Sequence, residues 1–227
     1  MQINDFVAVG LGLTVVPDED LAALHDVPAK VGGVKAAVGA GTGLGEVFLS
    51  AAGGGGGGGT APTYVAFPCE GGMTEFLAHD DEEWRLAQWL RREKKCGPRE
   101  QSLLALPPFL VSALTPPHHT WPEGTATVEG VVSGPGLANC FEFLHTAADA
   151  NPLTAAEATI PRLPRLDQPA AIAAAALASE PTAVAATELM LRAFGAELRQ
   201  VALRCMPSGG LYIAGGIAPK LRGKILD

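Results

Sequence analysis

The glycine-rich run at residues 39–45 (GAGTGLG) constrains the fold of this chain more than any other feature of its sequence. Short apolar segments flank the run at residues 34–38 and 46–51, and both are typical of β-strands. Two extended segments joined by a glycine-rich turn predict a β-hairpin. Such a turn also offers backbone N–H groups that an anion such as a phosphate can approach closely.

Two common phosphate-binding patterns do not fit this run. A P-loop would continue with Gly-Lys-Ser or Gly-Lys-Thr, and a GxGxxG motif would have its third glycine where Leu44 or Glu46 stands. A nucleotide-dependent dehydrogenase would also need a helix after the turn, whereas residues 46–51 are predicted as a strand. Taken alone, the run is better explained as a structural turn, in a chain with 28 glycines.

Strands and helices are predicted along most of the remaining chain. Further strands are predicted at residues 64–67, 128–132 and 211–214, and helices at 6–16, 80–95, 134–148, 170–177 and 182–206. The helix at 80–95 has an acidic first turn and a basic last turn, which complements the helix dipole at both ends. This mixture of strands and helices is typical of an α/β fold.

Two segments look like insertions into that pattern. Seven consecutive glycines at 53–59 have no side chains to bury, so a flexible loop is predicted near residues 53–60. The segment at 96–127 contains two proline pairs and one histidine pair, and irregular structure is predicted there.

The charge balance excludes some classes of partner. The chain has 16 Lys and Arg against 24 Asp and Glu, a net charge of −8, and nucleic-acid backbones require clustered basic side chains. No stretch reaches the roughly 18 consecutive apolar residues of a membrane span, and the first residues have no secretory signal pattern. We therefore expect no nucleic-acid partner, no membrane association and a cytoplasmic location.

The cysteines do not form a metal-binding or disulfide pattern. They are far apart, make no CxxC pair and have no histidine at zinc-ligand spacing: Cys69, Cys96, Cys140 and Cys205. Reduced thiols, as in a cytosolic protein, are the simplest interpretation. The pair His118–His119 lies in a proline-rich stretch without two further ligands nearby, so no metal site is predicted.

Three carboxylates stand at the edges of apolar segments, namely Asp5, Glu70 and Glu129. Phosphoryl transfer to a hydroxyl group needs one carboxylate to accept the proton, and a polyol needs several acceptors. A single carboxylate at such an edge is more often a helix cap or a solvated side chain. Spacing alone does not show that the three converge, so both interpretations stay open at this point.

Five segments, in order, resemble the bacterial-type glucokinase family of the hexokinase–actin superfamily. They are Ile3-Asn4-Asp5-Phe6, the run at 39–45, Pro68-Cys69-Glu70-Gly71-Gly72, Glu129 with the following SGPGL at 133–137, and GGLYIAGGIAP at 209–219. The resemblance implies an α/β fold like the large lobe of an actin-like, ribonuclease H-like sugar kinase. That fold has a mixed sheet flanked by helices, and most of the small lobe is expected to be missing here.

The resemblance implies ATP-dependent phosphorylation of glucose to glucose 6-phosphate. Asp5 matches the catalytic base, and the sugar ligands are expected to be Asn4, Asp5, Glu70 and Glu129. The matches to the family's nucleotide-binding residues are Gly41, Thr42 and Gly43 in one turn, and Gly215 and Gly216 in another. ATP with Mg²⁺ is the implied cofactor, without an implied protein ligand for the metal, and a homodimer is the implied assembly.

The sequence also departs from the family pattern. The family usually has the motif Glu-Gly-Gly-His, and in this chain Met73 stands in place of the histidine. A thioether is at best a weak acceptor for a sugar hydroxyl. Nothing before Asn4 resembles the family's Asp-x-Gly-Gly-Thr-Asn phosphate loop, and the chain stops soon after the adenosine-side motif. We therefore expect a truncated and inactive piece, with residues 1–12 at the edge of the small domain and 13–227 in the large one.

A second interpretation belongs to a different functional class. A non-catalytic sugar-binding or regulatory protein derived from a sugar kinase would also retain these motifs, and Met73 is the kind of change that relaxed selection produces. Glucose binding without phosphoryl transfer would support it.

Overall fold

The computed structural model describes residues 5–25, 27–52, 62–93, 125–147 and 150–226. The chain forms two compact units, the first from Met1–Cys69 with Gly195–Asp227 and the second from Glu70–Phe194. The predicted insertions at 53–60 and 96–127 lie almost wholly outside the described residues, as do Asn4, Cys96 and the pair 118–119. The predicted boundary between residues 12 and 13 stays a prediction.

The first unit is built on a four-stranded mixed sheet. Its strands are β1 (Lys35–Ala40), β2 (Leu44–Ala51), β3 (Tyr64–Cys69) and β4 (Leu211–Ala214), in the order β3-β2-β1-β4. β1 and β2 form the predicted hairpin, with Ala40 opposite Leu44 across the turn. β3 is antiparallel to β2, whereas β4 is parallel to β1. The predicted mixed sheet of an α/β fold is thereby confirmed.

Helix α1 (Asp5–Gly12) packs on one face of this sheet. A Cβ atom on Gly10 would lie 2.9 Å from Val47 Cγ1 and 3.3 Å from Leu49 Cδ1, so the helix backbone sits directly on β2. Because side chains alternate along a strand, Gly45, Val47 and Leu49 share this face. Leu44, Glu46 and Phe48 point to the opposite one.

The second unit contains α2 (Asp81–Glu93), α3 (Gly134–Thr146), α4 (Gln168–Leu177) and the start of α5 (Pro181–Cys205). The remainder of α5, from Gly195, belongs to the first unit, which also holds the short α6 (Arg222–Leu226). The core of the second unit is aliphatic and aromatic, with fully buried Leu86, Leu90, Leu137, Ile172 and Leu189. These apolar faces hold the helices together, because burial of each such side chain contributes about 2 kcal/mol.

The helix predicted at 6–16 ends earlier, at Gly12, whereas the other four predicted helices are close to the observed boundaries. Helix α2 starts as its charges predict. The Asp80 carboxylate accepts a hydrogen bond from Glu83 N at 2.8 Å, which satisfies one of the amides at the helix start. Acidic residues occupy its first turn and Arg91 and Arg92 its last.

The predicted strand at 128–132 is wrong. Val131 N and Val132 N both donate to Val128 O, at 3.0 and 2.7 Å, so the chain turns instead of extending. Val131 and Val132 are fully buried within this turn, and burial alone explains their apolar character. Next to this described turn, the only strand-like pairing is an isolated bridge between Thr127 and Glu75.

No single helix in the described part of the chain is both long and apolar enough for a membrane span. The helices α4 and α5 pass a length-and-composition test only as a pair, with a bend of 107° at the break between them.

Candidate functional site

Both glycine motifs with an expected role in nucleotide binding lie at one edge of the sheet of the first unit. β1 and β4 are parallel, with Gly39 beside Ala214, so the turns that follow them leave the sheet side by side. The turn after β1 closes through a hydrogen bond from Gly41 N to Gly43 O at 2.8 Å. After β4, Ile217 N donates to Ala40 O at 3.2 Å, which ties the second turn to the end of β1.

The glycines of these turns fall into two groups. Gly215 has a φ of +86°, and a Cβ atom there would lie 2.4 Å from Ala40 O, so the packing of the two turns itself requires glycine. Gly41 and Gly216 are different, because a Cβ atom on either would meet no atom of the described residues within 4 Å. Their backbones border open space, which suits close approach by a ligand.

Asp5 is held at the same edge through its neighbour Phe6. The Phe6 ring covers the Gly39–Gly45 pair of β1 and β2, one pair before the turn: a Cβ atom on Gly45 would lie 1.9 Å from Phe6 Cδ2, and one on Gly39 would lie 2.4 Å from Phe6 Cζ. The side chain of Asp5 is exposed, and its Oδ1 accepts a hydrogen bond from Phe6 N at 2.9 Å. Phe6 thus places the start of α1, which carries Asp5, against the hairpin that carries the first glycine turn.

The second unit joins the segments that carry Glu70 and Glu129. Glu70 precedes a short 3₁₀ turn, Gly71–Met73, and its carbonyl accepts a hydrogen bond from Met73 N at 3.0 Å. From the same turn, Gly72 O accepts a hydrogen bond from Glu129 N at 2.8 Å. Main-chain atoms therefore link the two carboxylate-bearing segments, and the half-buried Met73 lies in the same turn.

The segment that carries Glu129 is anchored to the start of α3. Ser133 Oγ donates to Glu129 O at 2.7 Å and accepts from Gly136 N at 2.9 Å, so Ser133 caps the helix and holds the turn at once. Gly136 permits this packing, because a Cβ atom there would lie 2.3 Å from Val131 O.

A further hydrogen-bonded chain supports the same turn from α3. Asn139 Nδ2 donates to Gly130 O at 2.8 Å, and Arg165 donates to Asn139 Oδ1. Arg165 Nη1 also donates to Glu142 Oε2 at 2.9 Å. Asn139 and Arg165 are not predicted from the sequence as supporting residues, because neither belongs to a recognised motif and the two are distant in sequence.

A buried carboxyl pair lies on the face of β2 opposite α1. Glu46, which follows the glycine-rich run at 39–45, is 4% exposed, and Glu197 on α5 is 5% exposed. Cys69 Sγ donates to Glu46 Oε2 at 3.5 Å, and Arg204 forms an ion pair with Glu197. Burial is the main cause that raises the pKa of Glu46 to about 7, and repulsion from Glu197 is the second cause.

The spacing of both glutamates in the sequence already indicates that they are buried. Glu197 follows Phe194 by three residues and precedes Val201 by four, which places it on the apolar face of its helix. Glu46 alternates with Leu44 and Phe48 on one face of β2. A charged residue in register with a buried face indicates a buried polar group.

The cysteines that the structure describes are Cys69, Cys140 and Cys205, all present as thiols. Burial raises the pKa of the Cys140 thiol to about 12, so this side chain is chemically inert. Among the described residues, no group of three or more histidine, cysteine or acidic side chains is placed to hold a metal ion.

Comparison with known proteins gives one consistent result. A sequence model of the family described as Glucokinase matches residues 1–103 and 119–226. The chain is 33% identical to a glucokinase of Synechocystis sp. and 32% identical to one of Nostoc sp., in each case over 96% of this chain. It spans only 55% and 56% of those two proteins, about half their length.

Solved structures show the same fold. A glucokinase from an Antarctic psychrotroph superposes with a TM-score of 0.65 at 21% identity, over 99% of this chain and 55% of that one. A Leishmania braziliensis glucokinase gives a TM-score of 0.53 at 15% identity, over 86% of this chain and 41% of that one. The chain therefore shares the fold of the matched part of these glucokinases.

Proposed function

Because the chain belongs to the glucokinase family, we propose that it serves the transfer of the γ-phosphoryl group of ATP to the 6-hydroxyl of glucose. The observation that carries the proposal is the packing of Phe6 on Gly39 and Gly45. It holds Asp5 beside the glycine turn, and phosphoryl transfer needs a carboxylate next to a phosphate-binding element.

Asp5 acts as the base in the proposed reaction. Its carboxylate takes the proton of the sugar hydroxyl while that oxygen forms a bond to the γ-phosphorus. The bond between the γ-phosphorus and the bridging oxygen breaks, and ADP leaves with that electron pair. The exposed position of Asp5 at the start of α1 leaves its carboxylate accessible to a substrate.

The glycine turns supply the nucleotide contacts. Gly41, Thr42 and Gly43 face the phosphates, and Gly215 and Gly216 face the adenosine side. The open space at Gly41 and Gly216 supports this assignment, because the protein's own packing does not account for glycine there. Fixed backbone N–H groups stabilise phosphate charge without having to reorganise during the reaction.

Glu70 and Glu129 accept hydrogen bonds from glucose hydroxyls, together with Asn4, which lies outside the described residues. The link from Glu129 N to Gly72 O supports joint action of the two carboxylates. Two acceptors at fixed separation suit a polyol, whose hydroxyls need partners once they leave water.

Magnesium enters the proposal only as the counter-ion of ATP. The described residues include no cluster that suits a metal ion, so we assign it no protein ligand. The charge of the ion reduces the negative charge that repels an incoming hydroxyl oxygen.

The experiment measures glucose-dependent ADP formation and glucose binding by the 227-residue chain and its Asp5→Asn variant. Activity that falls by about a hundredfold or more in Asp5→Asn would support Asp5 as base. Unchanged activity in the variant would overturn that role. Glu188→Gln, an exposed change on α5, is the control for a loss of charge alone.

A non-catalytic sugar-binding or regulatory role is the second candidate, and Met73 is the observation that favours it. The replacement of the family's usual histidine removes a sugar contact while Glu70 and Glu129 stay in place. Glucose binding without ADP formation, in both the wild-type chain and its Asp5→Asn variant, would favour this role. The dehydrogenase alternative loses its basis, because β2 and not a helix follows the glycine turn.

A cytoplasmic location and a homodimer complete the proposal. The family resemblance supports the homodimer, and the free thiols of the described cysteines support the location. Light scattering of the purified chain at several concentrations tests the assembly.

A further inference from the structure

The carboxyl pair Glu46–Glu197 is a cluster that the proposed reaction does not use. Both side chains are buried within the first unit, and Glu46 lies near the start of β2, the strand that follows the glycine turn. Two neighbouring carboxyl groups removed from water cannot both ionise without a large cost. A purely structural core would place apolar residues at these positions.

The hydrogen bonds of Glu46 indicate that the pair shares a proton. As an ionised group, Glu46 has one oxygen, Oε1, that finds no donor although it is buried. As an acid, Glu46 gains a proton to donate toward the Glu197 carboxylate, and this interaction contributes to the raised pKa of Glu46 while it opposes the rise in the pKa of Glu197. The proton therefore belongs on Glu46.

The charges around the pair balance only when that proton is present. Arg204 is paired with Glu197 and compensates one negative charge. Among the described residues, the other titratable groups that act on Glu46 are thiols, Cys69 on β3 and Cys205 on α5, and neither supplies a positive charge. Loss of the shared proton leaves one buried charge without compensation.

The position of Glu46 connects this proton to the nucleotide turn. Glu46 is the third residue of β2, which begins at Leu44 directly after the turn. In the sheet, it pairs with Val38 on β1 and Cys69 on β3. A displacement of Glu46 toward water therefore disturbs β2, which carries it, and β1, which pairs with it, and these are the two strands that the turn joins.

We propose that Glu46 is a positioning residue, whose proton-sharing contact with Glu197 holds the glycine turn in the conformation that binds the phosphates of ATP. This inference rests on the proposed function for its link to ATP. Loss of the proton repels the Glu46 side chain from Glu197 and loosens the turn, so nucleotide binding weakens as the pair ionises.

The experiment compares the wild-type chain with Glu46→Gln, which keeps a hydrogen-bond donor but has no charge. Mg·ATP binding is measured at about pH 6 and about pH 8, together with amide hydrogen exchange in residues 41–45. Glu188→Gln is the matched control on α5. Ratios between variants at one pH cancel the titration of ATP and the intrinsic pH dependence of exchange.

At the lower pH, the three proteins should bind Mg·ATP alike. At the higher pH, the wild type and the control should bind about fivefold more weakly than Glu46→Gln, and their turn should exchange faster by a similar factor. Glu197→Gln removes the same repulsion from the helix side and should behave like Glu46→Gln, which keeps the test decisive if one variant fails to fold.

Equal exchange of the turn in the wild type and both glutamine variants at both values of pH would overturn the proposal. A change in global stability without a change confined to the turn would overturn it as well. If none of the proteins binds Mg·ATP, the proposed function fails, whereas the exchange of residues 41–45 still decides whether Glu46 positions the turn.

Discussion

The Phe6 ring occupies the space that a side chain at residue 45 would need. This contact joins the helix that begins at Asp5 to the strand that leaves the glycine turn. The absence of a side chain at Gly45 therefore reflects helix packing, and the same packing positions the proposed catalytic base.

Gly45→Ala should destabilise the chain by about 1–3 kcal/mol, because the new methyl group overlaps the Phe6 ring. Urea unfolding of the purified variant measures the effect. Gly41→Ala is the control in the same turn, since a Cβ atom there meets no atom of the described residues within 4 Å. Equal stability of Gly45→Ala and wild type would contradict the close packing of Phe6.

Gly41→Ala should weaken binding of Mg·ATP by about tenfold, with little change in the free energy of unfolding. The added methyl group lies in the open space that we assign to the phosphates. Calorimetric titration with Mg·ATP checks this expectation. Unchanged affinity would show that the phosphates do not approach this backbone.

Ser133→Ala should lower the free energy of unfolding by about 1 kcal/mol, through loss of the helix cap. The same change releases Glu129 O, so glucose affinity should fall as well. Thr146→Ala, exposed at the other end of α3, is the matched control and should alter neither quantity. A stability loss with unaltered glucose affinity would separate the cap from the sugar site.

Met73→His should raise the affinity for glucose by about three- to tenfold, because it adds a hydrogen-bonding group to the turn that links Glu70 and Glu129. Fluorescence or calorimetric titration with glucose measures it. Met73→Leu keeps the apolar character and serves as control. No gain in Met73→His would mean that this side chain does not face the sugar.

The free energy of unfolding should fall as the pH rises from about 4.5 to about 7. In that range folded Glu46 keeps a proton that the unfolded chain has lost, and stability decreases with pH wherever the folded state binds more protons. Glu46→Gln should remove about 2 kcal/mol of this decrease. Urea unfolding at several pH values measures both slopes, and equal slopes would refute the raised pKa.

Local patterns predicted most of the fold because they act over short distances. The glycine turn between two apolar segments gave the hairpin, and the charges at both ends of 81–93 gave a helix. The failure at 128–132 has a physical origin. Val131 and Val132 are equally suited to a strand and to a buried turn, and the cap at Ser133 decides between them.

The candidate site required tertiary structure. Nothing local in the sequence places Glu129 beside Gly72, since a hydrogen bond between residues so far apart depends on how the chain returns. The partnership of Glu46 with Glu197 depends likewise on where α5 meets the sheet. Only the family resemblance connected Asp5 to the glycine turns in advance.

The hydrogen bond from Glu129 N to Gly72 O has a consequence for the evolution of sugar preference. Because main-chain atoms set the spacing of the two carboxylate segments, residue 73 is free to vary without moving them. Selection at that single position would then change which hexose is preferred while the acceptor pair is retained. Libraries that randomise Met73 are therefore a direct starting point for redesigning sugar recognition in this scaffold.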